Sequence, residues 1–180
     1  MALFDALVQS DRRAVEEQKV AGPEFHYYQY QFERWSQIEE YDEPERLNAT
    51  YARVAEAQQA LLLIGTASSA AAGSVLQIAR LCISMAWQKE HRLSKGRLIG
   101  SQPISSVIWH TRNQALHFED GVPQNQQTTR CLELLRDEVG LDISKLEETP
   151  RSLARDVIAL LGWHSYYPFA TDMVTLLKES

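Results

Sequence analysis

Three side chains in the run Trp109-His110-Thr111-Arg112-Asn113-Gln114-Ala115-Leu116-His117-Phe118-Glu119-Asp120-Gly121 combine the abilities that breaking a phosphodiester requires. Arg112 carries a permanent charge on a planar fork of donors that matches phosphate oxygens. His117, five residues on, is the side-chain type that takes and gives a proton near neutral pH. Asn113 adds a carboxamide beside the cation. Cutting RNA without a metal needs charge stabilisation and proton transfer at one linkage, and this stretch offers a group for each. His110 is a candidate second acid–base group. Glu119 and Asp120 follow His117 closely enough to bias its proton, or simply to occupy a helix end.

A helix must hold these groups. Ser101-Gln102-Pro103 is a plausible start, and Gly121 and Pro123 form a stop, so the motif helix is expected from there to about residue 120. In helical projection Ile104, Val107, Ile108, Thr111, Ala115 and Phe118 share a mostly apolar arc that should face a core. Ser106, His110, Asn113 and His117 fall on the opposite side, and Arg112 sits on a shoulder with Trp109 and Leu116. The polar face fits catalysis, and it fits an ordinary solvated surface as well. Arg112 and His117 lie about 140° apart on an ideal helix. They converge only through the length of the arginine, a distorted helix end, or a second copy of the chain.

The rest of the chain also reads as helical, with few β-branched residues and no sustained alternation. Helices are expected over 2–20 and 24–40, separated by Gly22-Pro23. A long one is expected from 45 to about 90, kinked near Gly65 or Gly73. Shorter ones are expected over 128–139, 150–162 and 170–178, with loop at 124–127 and a short turn within 141–149. Phe25, Tyr27, Tyr28, Tyr30, Phe32 and Trp35 form a stripe that reads as core rather than as a base-stacking platform. His26 and His164 lie among aromatics and read the same way. Lys89, His91, Arg92, Lys95 and Arg97 form a short basic loop that either steers RNA or is merely solvated. The expected organisation is an N-terminal helical arm, residues 1–43, packed on a helical domain, residues 44–180.

Bulk properties narrow the classes. A chain of 180 residues with 44% hydrophobic content can bury a core. A net charge of −6 argues against a general nucleic-acid coat protein but permits one local basic patch. Two cysteines, Cys82 and Cys131, build neither a disulfide framework nor a thiolate zinc site, so a cytoplasmic protein is expected. The first residues carry an early acid and no basic stretch, unlike a secretion signal. Residues 57–79 lack charge over about the length of a membrane span. Their Gly, Ser, Thr and Gln content reads instead as a closely packed central helix or the seam of a dimer. No metal-ligand spacing and no phosphate-cradling glycine loop is present, so no cofactor is expected.

The set Arg112-Asn113-x-x-x-His117, on a late helix of a small helical protein, resembles the signature of the HEPN superfamily: Arg, four to six residues, then His, often with a polar residue directly after the Arg. The match covers both defining residues and the adjacent Asn; elsewhere the likeness is only helical character and size. The resemblance implies an all-α, up-and-down bundle that forms a homodimer, with motif residues of two copies meeting in one cleft. It implies a metal-independent endoribonuclease of a toxin–antitoxin or phage-defence system, acting on single-stranded RNA to leave a 2′,3′-cyclic phosphate. A nucleotidyltransferase-type antitoxin is a possible partner. Some members have lost activity and bind a protein, nucleotide or RNA instead, so a silent binding module is the alternative. The N-terminal arm departs from the minimal family domain.

Overall fold

The computed structural model describes residues 2–37, 44–90, 95–123, 125–144, 146 and 148–178. The chain is all-α, with six α-helices and one minimal hairpin among these residues. They are α1 (Ala2–Ser36), α2 (Pro44–Glu90), β1 (Leu98–Ile99), β2 (Gln102–Pro103), α3 (Ile104–Leu116), a 3-10 turn (Phe118–Asp120), α4 (Gln126–Val139), α5 (Ala154–Leu160) and α6 (Tyr166–Lys178).

Two expected breaks are absent. Gly22-Pro23 lies inside α1, where proline lacks the N–H that would bond the preceding turn but need not end the helix. α2 runs continuously past Gly65 and Gly73. The compact units also differ from the expected arm and domain. One is Ser10–Ser68; the other joins Met1–Gln9 to Ser69–Ser180.

The first unit, Ser10–Ser68, has little buried apolar surface among its described residues. Ala14, Thr50 and Ser68 are buried, and the Phe32 and Tyr51 rings pack 5.6 Å apart. Tyr27 and Tyr30 are each 59% exposed, while Phe25, Tyr28, Phe32 and Trp35 are half-buried, so the expected aromatic core is only partly covered. The segment Asn48–Met85 of α2 is long and apolar enough to cross a membrane by length and composition alone, and 28% of its most apolar window is buried. Within 57–79, Ala71, Ala72, Val75, Leu76 and Ala79 are buried as a packed helix requires, while Leu62 and Leu63 are exposed.

The second unit contains the principal core. Ala72, Val75, Leu76, Ala79 and Ile83 of α2 are buried at helical spacing. They join Ile104, Val107 and Ile108 of α3, Cys131, Leu132 and Leu135 of α4, and Leu153, Val157 and Trp163. The hairpin pairs Leu98 with Pro103 and Ile99 with Gln102, and Ile104 N–H bonds the Arg97 carbonyl at 2.9 Å, which fixes the start of α3. At its tip Gly100 has φ 59°, and any Cβ there would collide with Glu138. α4 begins earlier than expected, because the Asn125 side chain accepts from the N–H groups of Gln127 and Thr128. It ends at Gly140 in the left-handed conformation.

Arg97, expected in a basic loop that either steers RNA or is merely solvated, ties this unit together. Its Nε and Nη2 donate to Asp172 at 2.8 and 2.9 Å, and Nη2 also donates to the Leu161 carbonyl at 2.7 Å. Asp172 further accepts from Nε1 of the fully buried Trp163 at 2.7 Å. The hydrogen bond to Asp172 raises the Arg97 pKa against the opposing effect of burial. Replacing Asp172 with Asn removes the charge and one strong acceptor. Partial solvation of Arg97 limits the expected loss to about 1–2 kcal/mol, read as a lower urea midpoint. An unchanged midpoint would show that this triad contributes nothing to stability.

Candidate active site

α3 carries His110, Arg112 and Asn113, and stops one residue before His117. The inner face is Ile104, Val107, Ile108, Thr111 and Gln114, all buried. Ala115 is only partly buried and Phe118 is 37% exposed, because the helix has ended before Phe118 could complete the arc. His117 has φ −127° and ψ 29°, and its N–H reaches the Gln114 carbonyl at 3.2 Å. The chain tightens through the 3-10 turn and reverses at Gly121, whose φ is 76°. This distorted end carries the imidazole out of helical register. Its side chain is 70% exposed, with Nδ1 3.9 Å from Asp120 Oδ2.

Beside it lies a cavity of about 440 Å³, lined by Asn113, Gln114, His117, Asp120, Pro123, Asn125 and Thr128. That volume lies within the range of small-ligand sites. Its walls come from the end of α3, the following turn and the start of α4, so the Asn125 cap that starts α4 also shapes the pocket.

Arg112 is not a wall of this cavity. Its Nε donates to Gln77 Oε1 on α2 at 2.6 Å, and its Nη1 donates to Asn113 Oδ1 at 3.1 Å. Burial, and then the nearby Arg80 charge, lower its pKa; a guanidinium remains cationic under such shifts. Asn113 therefore touches the arginine through one atom and lines the cavity with His117. Within one chain the structure joins Asn113 to each site but puts no hydrogen bond or ion pair between Arg112 and His117.

His110 Nδ1 and Thr128 Oγ1 share a hydrogen bond of 3.0 Å, linking α3 to the cavity wall. Burial lowers the His110 pKa from its ordinary 6.5. The folded state thus binds this proton less readily than the unfolded chain, so stability rises with pH through this range. The contribution is present above about pH 6.5 and is lost as pH falls below that value toward the lower folded-state pKa. Urea midpoints measured at pH 5 and pH 7.5 should differ less in His110→Gln than in the parent. Equal pH dependence in the two would remove His110 as its source.

Other expected site residues fall elsewhere. Glu119 lies on the 3-10 turn, exposed, while Asp120 is the acid that lines the cavity. Lys89 belongs to α2 rather than to a loop. Arg92 and His91 lie outside the described residues. Lys95 is exposed, and its carbonyl accepts from Ser105 Oγ at 3.3 Å. Gln77, Arg80, Asn125 and Thr128 surround the motif but escaped the sequence reading. Only Asn125 carried a local signal, as a capping residue ahead of a helix. No protein-family model matches the chain, nor does any curated protein or solved structure.

Proposed function

We infer that the chain is a cytoplasmic, metal-independent endoribonuclease of HEPN type, acting as a homodimer on single-stranded RNA. The observation that carries this reading is the position of Asn113, bonded to Arg112 Nη1 at 3.1 Å and sharing the walls of the 440 Å³ cavity with His117. A phosphate held by Arg112 would therefore border the pocket that contains a proton-transfer group.

Arg112 keeps Nη2 without an acceptor among the described residues. This donor fork would stabilise charge developing on the phosphate oxygens. His117 and its mate in the second copy would between them remove the proton from the 2′-hydroxyl and deliver one to the leaving 5′-oxygen. The 2′-oxygen attacks phosphorus as the bond to the 5′-oxygen breaks, leaving a 2′,3′-cyclic phosphate and a 5′-hydroxyl. Asn113 would orient the phosphate. His110 would act through Thr128 at the cavity wall rather than on the reacting atoms.

Arg112 lies outside the cavity that His117 lines, which favours a site shared by two copies. Leu116, which lies beside Arg112 on its strip, is 49% exposed. A face of this kind loses unfavourable apolar exposure when a second copy covers it. We assign the protein to a toxin or defence role on the same footing, with a nucleotidyltransferase-type antitoxin as a candidate partner. The test is cleavage of a labelled single-stranded RNA in excess EDTA, with end-group analysis for the cyclic phosphate. Intact RNA at high protein concentration, from a preparation free of copurified inhibitor, counts against the enzyme. It would favour a silent module that binds its partner or nucleotide without cutting.

A further inference from the structure

Beside Arg112 lies a second arginine that the proposed reaction does not use. Arg80 follows Gln77 by one turn of α2, and its guanidinium stacks on the Trp109 ring, 4.1 Å from the centroid. Stacking of this kind holds the fork flat and restricts its freedom. Nε of Arg80 is buried and has no acceptor among the described residues. No described carboxylate pairs with Arg80 or Arg112. Arg112 feels the Arg80 charge as repulsion, which adds to the effect of burial on its pKa.

Packing thus holds two like charges together on a chain whose net charge is −6. The composition offers abundant carboxylates, yet none among the described residues is used here. An anion bridging the two forks relieves the repulsion and offers acceptors to their terminal N–H groups, and a phosphate has oxygens enough for both. Trp109 remains 41% exposed, so an aromatic surface borders the cations, as in sites that hold unpaired nucleotides.

We propose that Arg80, Arg112 and Trp109 form a clamp for one phosphodiester of a single-stranded RNA, with Arg80 as its second phosphate-holding residue. The choice of strand rests on the endoribonuclease reading; the anion site rests on the paired guanidiniums alone.

Fluorescence anisotropy with a labelled all-deoxy single strand, in EDTA, measures binding apart from cleavage, since this probe has no 2′-hydroxyl to attack with. With the full chain, Arg80→Gln should weaken binding about tenfold and reduce the slope of log Kd against log salt by about 1. Arg80→Lys should keep the slope but recover only part of the affinity, because an ammonium can neither fork nor stack as arginine does. Arg136→Gln, which removes the same charge from the exposed end of α4, should bind as the parent does. A parent that does not bind the strand overturns the clamp, as does Arg80→Gln with parental affinity and slope. Should Arg80→Gln fail to fold, Arg80→Lys decides: weaker binding supports the clamp and parental affinity overturns it. Binding through Arg80 without cleavage of RNA leaves the clamp and refutes the nuclease. Cleavage that is indifferent to Arg80, with binding equally indifferent, does the reverse.

Discussion

His117→Ala and Arg112→Ala should each slow EDTA-resistant cleavage of single-stranded RNA by about 10²–10⁴-fold, the range expected for losing a general acid–base or a charge-stabilising donor. The two losses differ in their structural side effects. His117 is largely exposed beyond the end of α3, so its truncation should leave the thermal midpoint unchanged. Arg112→Ala also removes the bond to Gln77, so a modest drop in stability accompanies the loss of rate, and Arg112→Lys serves as the charge-preserving control. Mixing the two inactive variants separates a shared site from a site built within one chain. If one copy supplies the guanidinium and the other the imidazole, mixed dimers regain one intact site of two. About a quarter of parental activity then returns, given equal mixing and free exchange of subunits. If both groups act within one chain, mixing restores nothing. Parental rates in both single variants would remove Arg112 and His117 from the chemistry altogether.

The parts of this site legible in the sequence are those set by local spacing. The inward apolar positions of α3, the chain reversal at Gly121, and the placement of Asn113 and His117 away from the core all follow from helical periodicity and punctuation. Periodicity could not reveal that the helix stops at Leu116, because the stop depends on a backbone distortion at His117. Nor could it find Gln77 and Arg80, which lie on another helix and meet Trp109 and Arg112 only through packing. Arg97 shows the same limit from the other side. Within a basic run it reads as a surface charge, and only folding delivers Asp172, 75 positions later, to its guanidinium.

The fold divides similarly. The helical class, the left-handed ending of α4 at Gly140 and the irregular chain before α5 carry local signals. The continuity of α1 through Pro23 does not, because a proline's local cost can be outweighed by the helix on either side. The hairpin at Leu98–Pro103 is too short to produce an alternating pattern. The aromatic stripe of α1 has helical spacing, but spacing alone does not provide a neighbouring surface, and Tyr27 and Tyr30 remain exposed.

Gln114→Leu should cost about 3 kcal/mol of stability, a severe loss for a change that conserves size and sits between two proposed catalytic residues. Gln114 is 2% exposed. Its Nε2 donates to the Arg151 carbonyl at 2.7 Å, and its Oε1 accepts from the Leu153 N–H at 2.8 Å. The carboxamide thus satisfies one acceptor and one donor of the backbone leading into α5, as a neighbouring strand would. Leu153 is fully buried, so water cannot readily replace the lost bond, and each orphaned backbone group carries a desolvation cost of about 1–3 kcal/mol. Leucine fills the volume, which confines the effect to polar satisfaction rather than to a cavity. Gln114→Glu is the informative partner: at neutral pH it can still accept from Leu153 but turns a carboxylate toward the Arg151 carbonyl, and it should recover stability as acid protonates it. Urea unfolding of the parent and both variants, at pH 5 and pH 7.5, checks this. A Leu variant with the parental midpoint would mean that the chain before α5 reaches other partners. The contact between α3 and α5 would then owe its strength to apolar packing alone.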